Sequence, residues 1–151
     1  MELEARLQPW PWLDARAAYT LQKTENLRDV QAYYGQPLPY RPAQLGWARL
    51  ALGPDWLSVR LDVEGRSSVT VNRAAVYHLP GHVFVGAGVD LLVASAGQTR
   101  ITASLQFTNL FNVQGQDLDG YPLPSRAVFA TVAFALGEAK AAASSVGEVP
   151  R

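Results

Sequence analysis

The sequence predicts an all-β chain, an antiparallel up-and-down meander of about six strands that forms an incomplete segment of a transmembrane β-barrel. Three observations predict it. Six segments alternate apolar and polar residues with the period of two that places one set on each face of a sheet. The connections between them run long, short, long, short, long. Charged residues make up 17% of the 151, below the roughly 25% of ordinary soluble domains.

The first segment is Leu13 to Leu21, where Leu13, Ala15, Ala17, Tyr19 and Leu21 share one face and Asp14, Arg16, Ala18, Thr20 and Gln22 the other. Leu45 to Leu52 is the second and the least regular, with Trp47 and Arg49 opposite Ala48, Leu50 and Leu52. Leu57 to Arg66 is the clearest: Leu57, Val59, Leu61 and Val63 oppose Ser58, Arg60, Asp62, Glu64 and Arg66. Val83 to Val93 sets Val83, Val85, Ala87, Val89, Leu91 and Val93 against His82, Phe84, Gly86, Gly88, Asp90 and Leu92. Ile101 to Phe107 and Val128 to Leu136 complete the set. Glu2 to Arg6 reads as the end of a further strand with too short an apolar face to judge.

The long connections fall near Thr24 to Gln44, Ser67 to Gly81 and Asn112 to Arg126; the short ones are Gly53-Pro54-Asp55 and Ser95-Ala96-Gly97-Gln98. In an up-and-down sheet, alternate connections lie at opposite ends. All the long loops therefore gather at one end, as in outer-membrane barrels with short periplasmic turns and long extracellular loops. Alternation alone fits a soluble β-sandwich or small barrel equally well. The loop asymmetry, the Ala and Gly content of the strands and strand lengths of about 9–11 residues favour the membrane.

Composition narrows the function classes. Thirteen basic and 13 acidic residues balance, so no net field draws the chain to nucleic acid. Without cysteine there is no disulfide, thiolate metal site or cysteine nucleophile. No apolar run approaches the ~18 residues of a transmembrane helix. The opening MELEARLQPWPW is acidic and lacks a signal peptide's basic and apolar regions. Either the protein stays in the cytoplasm or the chain is not a complete precursor.

Several segments, taken in order, resemble the C-terminal part of the barrel of TonB-dependent outer-membrane receptors. ELEARLQPWPWLDARAAYTLQKTEN is similar to a strand end, a periplasmic turn and a returning strand. Gly35-Gln36-Pro37-Leu38-Pro39-Tyr40-Arg41-Pro42 resembles a membrane re-entry segment. Gln106-Phe107-Thr108-Asn109-Leu110-Phe111-Asn112 resembles the Asn-Leu-Phe element of the penultimate strand. Gly120-Tyr121-Pro122-Leu123-Pro124-Ser125-Arg126 resembles the entry to the last strand, with Ser125 where the family usually has Gly.

The resemblance covers about residues 2 to 136 and implies a partial barrel over 1–136, followed by a flexible tail over 137–151, weakly helical near Glu138 to Ala143. It departs from the family in strand number, since these barrels have 22, in the absence of the plug domain and TonB-binding segment, and in continuing past the last strand. The chain is therefore expected to be a fragment, the simplest account being a truncated reading frame that begins at an internal Met.

The resemblance implies an outer-membrane location. It also implies, for the intact protein, energised uptake of a scarce solute such as an iron–siderophore or cobalamin. The implied partners are outer-membrane lipid, the remainder of the barrel and the plug, and TonB only through the missing N-terminal part; nucleic acid is not among them. A soluble β-sandwich or small-barrel ligand-binding module is the alternative.

No catalytic, cofactor or metal residue is assigned, and no enzymatic role is expected. His78 and His82 are spaced four apart, but Pro80 and Gly81 between them argue against a helix that would bring them together. Asp117, Asp119 and Gly120 echo part of a calcium loop without its bidentate Glu, and read as turn chemistry. Arg16, Arg60, Asp62, Glu64, Arg66, Asp90 and Arg100 are expected to project into a barrel lumen, because an Arg at the lipid midplane costs ~2–4 kcal/mol. Trp10, Trp12, Trp56, Trp47 and Tyr19 are candidates for interfacial aromatic belts. The first three fall near the short-turn end, whereas Trp47 and Tyr19 fit less well, Trp47 because its face reads as lumenal.

Overall fold

Residues that alternate in the sequence form extended backbone, and the alternation carries across the sheet from one strand to the next. The structure is a computed structural model that describes residues 1–28, 30–31 and 33–136; the tail expected over 137–151 lies outside them. Its strands are β1 (Glu2–Trp10), β2 (Leu13–Leu21), β3 (Gln44–Leu52), β4 (Leu57–Arg66), β5 (Val69–Thr70), β6 (His78–Leu79), β7 (His82–Ala96), β8 (Thr99–Thr108), β9 (Gln116–Leu118), β10 (Tyr121–Pro122) and β11 (Ala127–Leu136). Seven of them form one sheet in the order β1-β2-β3-β4-β7-β8-β11. Every neighbouring pair is antiparallel. The sheet is a single layer and is not closed: β1 and β11 are its edges.

The register sorts the side chains. Leu7, Ala15, Leu50, Leu61 and Ala87 form one row across five strands. Val59, Val89, Leu105 and Ala130 form another on the same face. Over the paired residues, that face carries no charge. The opposite face holds Arg6, Asp14, Arg16, Arg49, Arg60, Asp62, Glu64, Arg66, Asp90 and Arg100. Because side chains alternate strictly, a one-residue slip would exchange the faces. The apolar pattern therefore fixes the register.

Very few of the described residues are buried. Val69 and Leu79, in the small ribbon β5–β6, are the only buried hydrophobic side chains among the described residues. Leu7, Leu61, Val89, Val132 and Phe134 on the sheet are all exposed. A sandwich would cover the apolar face with a second sheet about 10 Å away, and no such layer exists among the described residues. The sandwich and the small closed barrel are therefore not the fold.

Three tight turns lie at one end of the sheet. Pro11 and Trp12 join β1 to β2, Gly53 to Trp56 join β3 to β4, and Gly97 and Gln98 join β7 to β8. Gly53 has φ +140°, and a Cβ there would stand 1.9 Å from the Leu57 carbonyl oxygen, so no other residue fits this turn. Its amide donates to the Trp12 carbonyl at 2.9 Å, tying two adjacent turns together. The long connections lie at the other end, in the expected alternation.

Several elements differ from the sequence reading. The stub at Glu2 to Arg6 is a full nine-residue strand. A register irregularity between Leu7 and Trp10, next to Pro9, disguises its alternation. Edge strands tolerate such a proline because the missing N–H faces no partner. β7 is longer than expected, running to Ala96, with a bulge between Leu92 and Ala94. The turn after it shrinks accordingly to Gly97-Gln98. Two of the long connections are partly ordered by the ribbons β5–β6 and β9–β10, each too short to show a period.

Candidate functional site

The charged face is the part of the molecule with chemistry on it. Arg6, Arg16 and Arg49 stand directly opposite one another on β1, β2 and β3. Like charges in such a row repel, and two acids relieve them: Asp14, two residues from Arg16 on β2, and Asp62, directly opposite Arg49 on β4. Asp14 accepts from Arg16 Nε at 2.7 Å and from Arg6 Nη2 at 3.2 Å. Asp62 accepts from Arg49 Nε at 2.5 Å and lies 3.4 Å from Arg60 Nε. Arg60 also reaches Asp90 at 3.4 Å. These groups are between 22% and 57% exposed, so each pair contributes at most about 1 kcal/mol. They form two clusters of paired charge, one on β1 and β2 and one on β3, β4 and β7. Arg60 needs room to reach Asp90: a Cβ on Gly88 would stand 2.8 Å from its Nη2.

At the long-loop end, the connection from β8 to β11 folds back onto this face. Arg66 Nε donates to Asp117 Oδ1 at 2.7 Å, and its Nη2 donates to the Gln116 carbonyl. His82 stacks on Phe84 with ring centroids 4.7 Å apart, and its Nε2 lies 3.7 Å from the same Asp117 oxygen. Gly115 rests on both rings, and a Cβ there would stand 3.0 Å from His82 Nδ1 and 3.2 Å from Phe84 Cζ, a tight contact. The base of the connection is held by two asparagines in the left-handed region, Asn109 (φ 48°) and Asn112 (φ 52°). Buried Asn109 donates to the carbonyls of Val113 and Pro124 at 2.9 and 3.1 Å and accepts from the Val113 amide at 2.8 Å. Asn112 accepts from the Arg126 amide at 3.0 Å. Asn adopts this backbone region more readily than most residues, which explains its place at both positions.

The residues singled out in the sequence fall as follows. All seven expected lumenal residues share the charged face, and Trp47 lies with them. His78 and His82 are not brought together as a pair: His78 belongs to β6, exposed in the loop, while His82 is the first residue of β7. Asp117 is committed to Arg66, and Asp119-Gly120 forms the tip of the β9–β10 ribbon, with Gly120 at φ +78°. Trp10, Trp12 and Trp56 are each about half exposed at the short-turn end, and Trp10 stacks on Trp12 at 5.2 Å. Tyr19 is on the apolar face at the opposite end, its ring against Gly46. In the loop beyond it, Lys23 Nζ lies 2.5 Å from Glu25 Oε1. The hydrogen bond and the carboxylate charge raise the Lys23 pKa above its ordinary value. The pairing of Arg66 with Asp117, 51 residues apart, had no signal in the sequence.

One apolar face, one charged face and loops sorted by length give this sheet the form of a segment of β-barrel wall. Among solved structures, the chain is similar to the ferric citrate transporter FecA, with TM-score 0.69 and 17% identity over 80% of this chain and 20% of that one. It is also similar to the siderophore receptor PiuA from Acinetobacter baumannii (0.65, 17%, 90% and 20%). A third similar structure is the ferric yersiniabactin uptake receptor FyuA from Yersinia pestis (0.63, 15%, 86% and 21%). The chain spans about a fifth of the length of these receptors. No protein-family model and no curated protein matches the sequence.

Proposed function

We propose that this chain is a wall segment of an outer-membrane receptor barrel, with its apolar face against lipid and its charged face toward a water-filled lumen. The observation that carries the reading is the uncharged sheet face with no protein layer over it among the described residues. A nine-residue strand is about 30 Å long. Tilted at ~35–45° it rises about 21–25 Å, close to the apolar band of about 25 Å in such barrels. Trp10, Trp12 and Trp56 then lie at one interface and Tyr19 at the other.

The intact protein would take up a scarce solute, such as an iron–siderophore or cobalamin, with a plug domain and TonB supplying the energy coupling. The solved neighbours are transporters and receptors rather than enzymes, and the chain's own role is structural: wall and loop surface. Residues 1–136 form the barrel part in this reading.

The test is depth-resolved quenching in vesicles with brominated acyl chains. Single-tryptophan variants retaining Trp10 or Trp56 are expected to be quenched strongly by bromines near the headgroups. A variant retaining only Trp47 is expected to be quenched weakly at every depth. A chain that is monodisperse and cooperatively folded without detergent would sink the membrane reading and restore the soluble binding module.

A further inference from the structure

We propose that the charged face carries a binding site for an organic cation, an ammonium or guanidinium group, centred on Glu64 between Trp47 and Phe84. The site rests on the reading above only in requiring that this face be open to water.

Trp47 on β3, Glu64 on β4 and Phe84 on β7 are register partners, Trp47 with Glu64 and Glu64 with Phe84. Side chains so placed have Cβ atoms about 4.5–5.5 Å apart on one face. The three line a single recess of about 280 Å³. In the next row Asp62 faces Gly86, which brings no side chain and leaves the floor beside Phe84 open. The volume is near the low end of ligand pockets, about 300 Å³, and suits a headgroup better than a large solute.

The charges select the sign of the ligand. On the strands around the recess, Arg49 and Arg60 are answered by Asp62 and Asp90. Glu64 has no cationic group at ion-pair distance among the described residues. It therefore leaves one negative charge uncompensated. A carboxylate flanked by two aromatic rings is a ligand set for an organic cation: the carboxylate answers the charge and the electron-rich ring faces attract the polarised C–H or N–H groups. Arg49 and Asp62 also line the recess, but they are paired with each other, which leaves Glu64 as one unpaired carboxylate, a poor site for a metal ion and repulsive to an anion. The cation can be part of a small solute or an Arg or Lys side chain of a polypeptide in the lumen; the chemistry is the same.

The test uses the full chain refolded in a non-ionic maltoside detergent, with circular dichroism confirming the sheet. Tetramethylammonium chloride and methylguanidinium chloride are titrated against sodium chloride at matched ionic strength. Fluorescence is followed in wild type and in Trp47→Phe, and the difference isolates Trp47. A saturable change with a millimolar midpoint is expected for the organic cations and none for sodium. Glu64→Gln should weaken binding at least about tenfold, which corresponds to 1.4 kcal/mol. Phe84→Leu should weaken it severalfold, and Glu4→Gln should leave it unchanged.

The tripeptide acetyl-Gly-Arg-Gly-amide distinguishes the sources: tighter binding than methylguanidinium indicates a polypeptide side chain, and weaker binding a small solute. A folded chain without saturable binding, or Glu64→Gln binding as wild type does, overturns this proposal alone. A chain that forms no sheet in micelles overturns the barrel reading and the site with it.

Discussion

Asn109 holds three backbone groups with one side chain. Its side chain makes three hydrogen bonds from a buried position at φ 48°. Replacing it by Ala removes all three, worth about 0.5–1.5 kcal/mol each, and leaves a left-handed backbone that Ala disfavours by roughly 1 kcal/mol. Asn109→Ala is therefore expected to cost about 2–4 kcal/mol, read from urea titration in micelles, with earlier proteolytic cleavage in the 112–126 connection. Gly88→Ala tests a weaker effect. The added methyl meets Arg60 and pushes it off Asp90; because that pair is part-exposed, the expected loss is below about 1 kcal/mol. At this scale the sequence was only partly legible. The Asn-Leu-Phe element was visible as a motif, but its role as a clamp on Pro124 was not, because the carbonyl it holds belongs to a residue 15 positions away. Glu64 was placed on the correct face, whereas its flanking by Trp47 and Phe84 depends on the pairing of three strands.

Strands were the most legible elements, since β2, β4, β8 and β11 each carry the period of two through their length. β1 was obscured where Pro9 and the register irregularity break the pattern, and the ribbons are too short to have one. The two faces predict opposite responses to the same substitution. Leu61→Arg, at the centre of β4 on the apolar face, is expected to cost ~2–4 kcal/mol in lipid vesicles. Ser104→Arg, opposite Asp90 on the charged face, should stay within about 0.5 kcal/mol. Urea titrations of vesicle-folded protein check both, and equal costs would contradict the assignment of faces. Arg66→Ala should loosen the β8–β11 connection without altering the sheet: faster proteolysis at Gln116 to Gly120, with an unchanged circular dichroism spectrum.

For the molecule as a whole, the apolar face demands a non-aqueous neighbour. Transfer from micelles to buffer is expected to give aggregation rather than a soluble monomer, measured by light scattering as detergent is diluted below its critical concentration. The edges add to this, since β1 and β11 expose unpaired backbone groups that each cost several kcal/mol in lipid.

Both edges also run in the same direction, from the long-loop end to the turn end. Seven is an odd number, and that has an arithmetic consequence. A ring in which every junction is antiparallel needs an even count of strands. Two copies lying the same way up in a membrane would meet β11 to β1 as parallel strands. Bending this sheet onto itself would give the same mismatch. An all-antiparallel ring that contained this sheet would need an odd number of further strands, beginning and ending on strands that run opposite to these two edges.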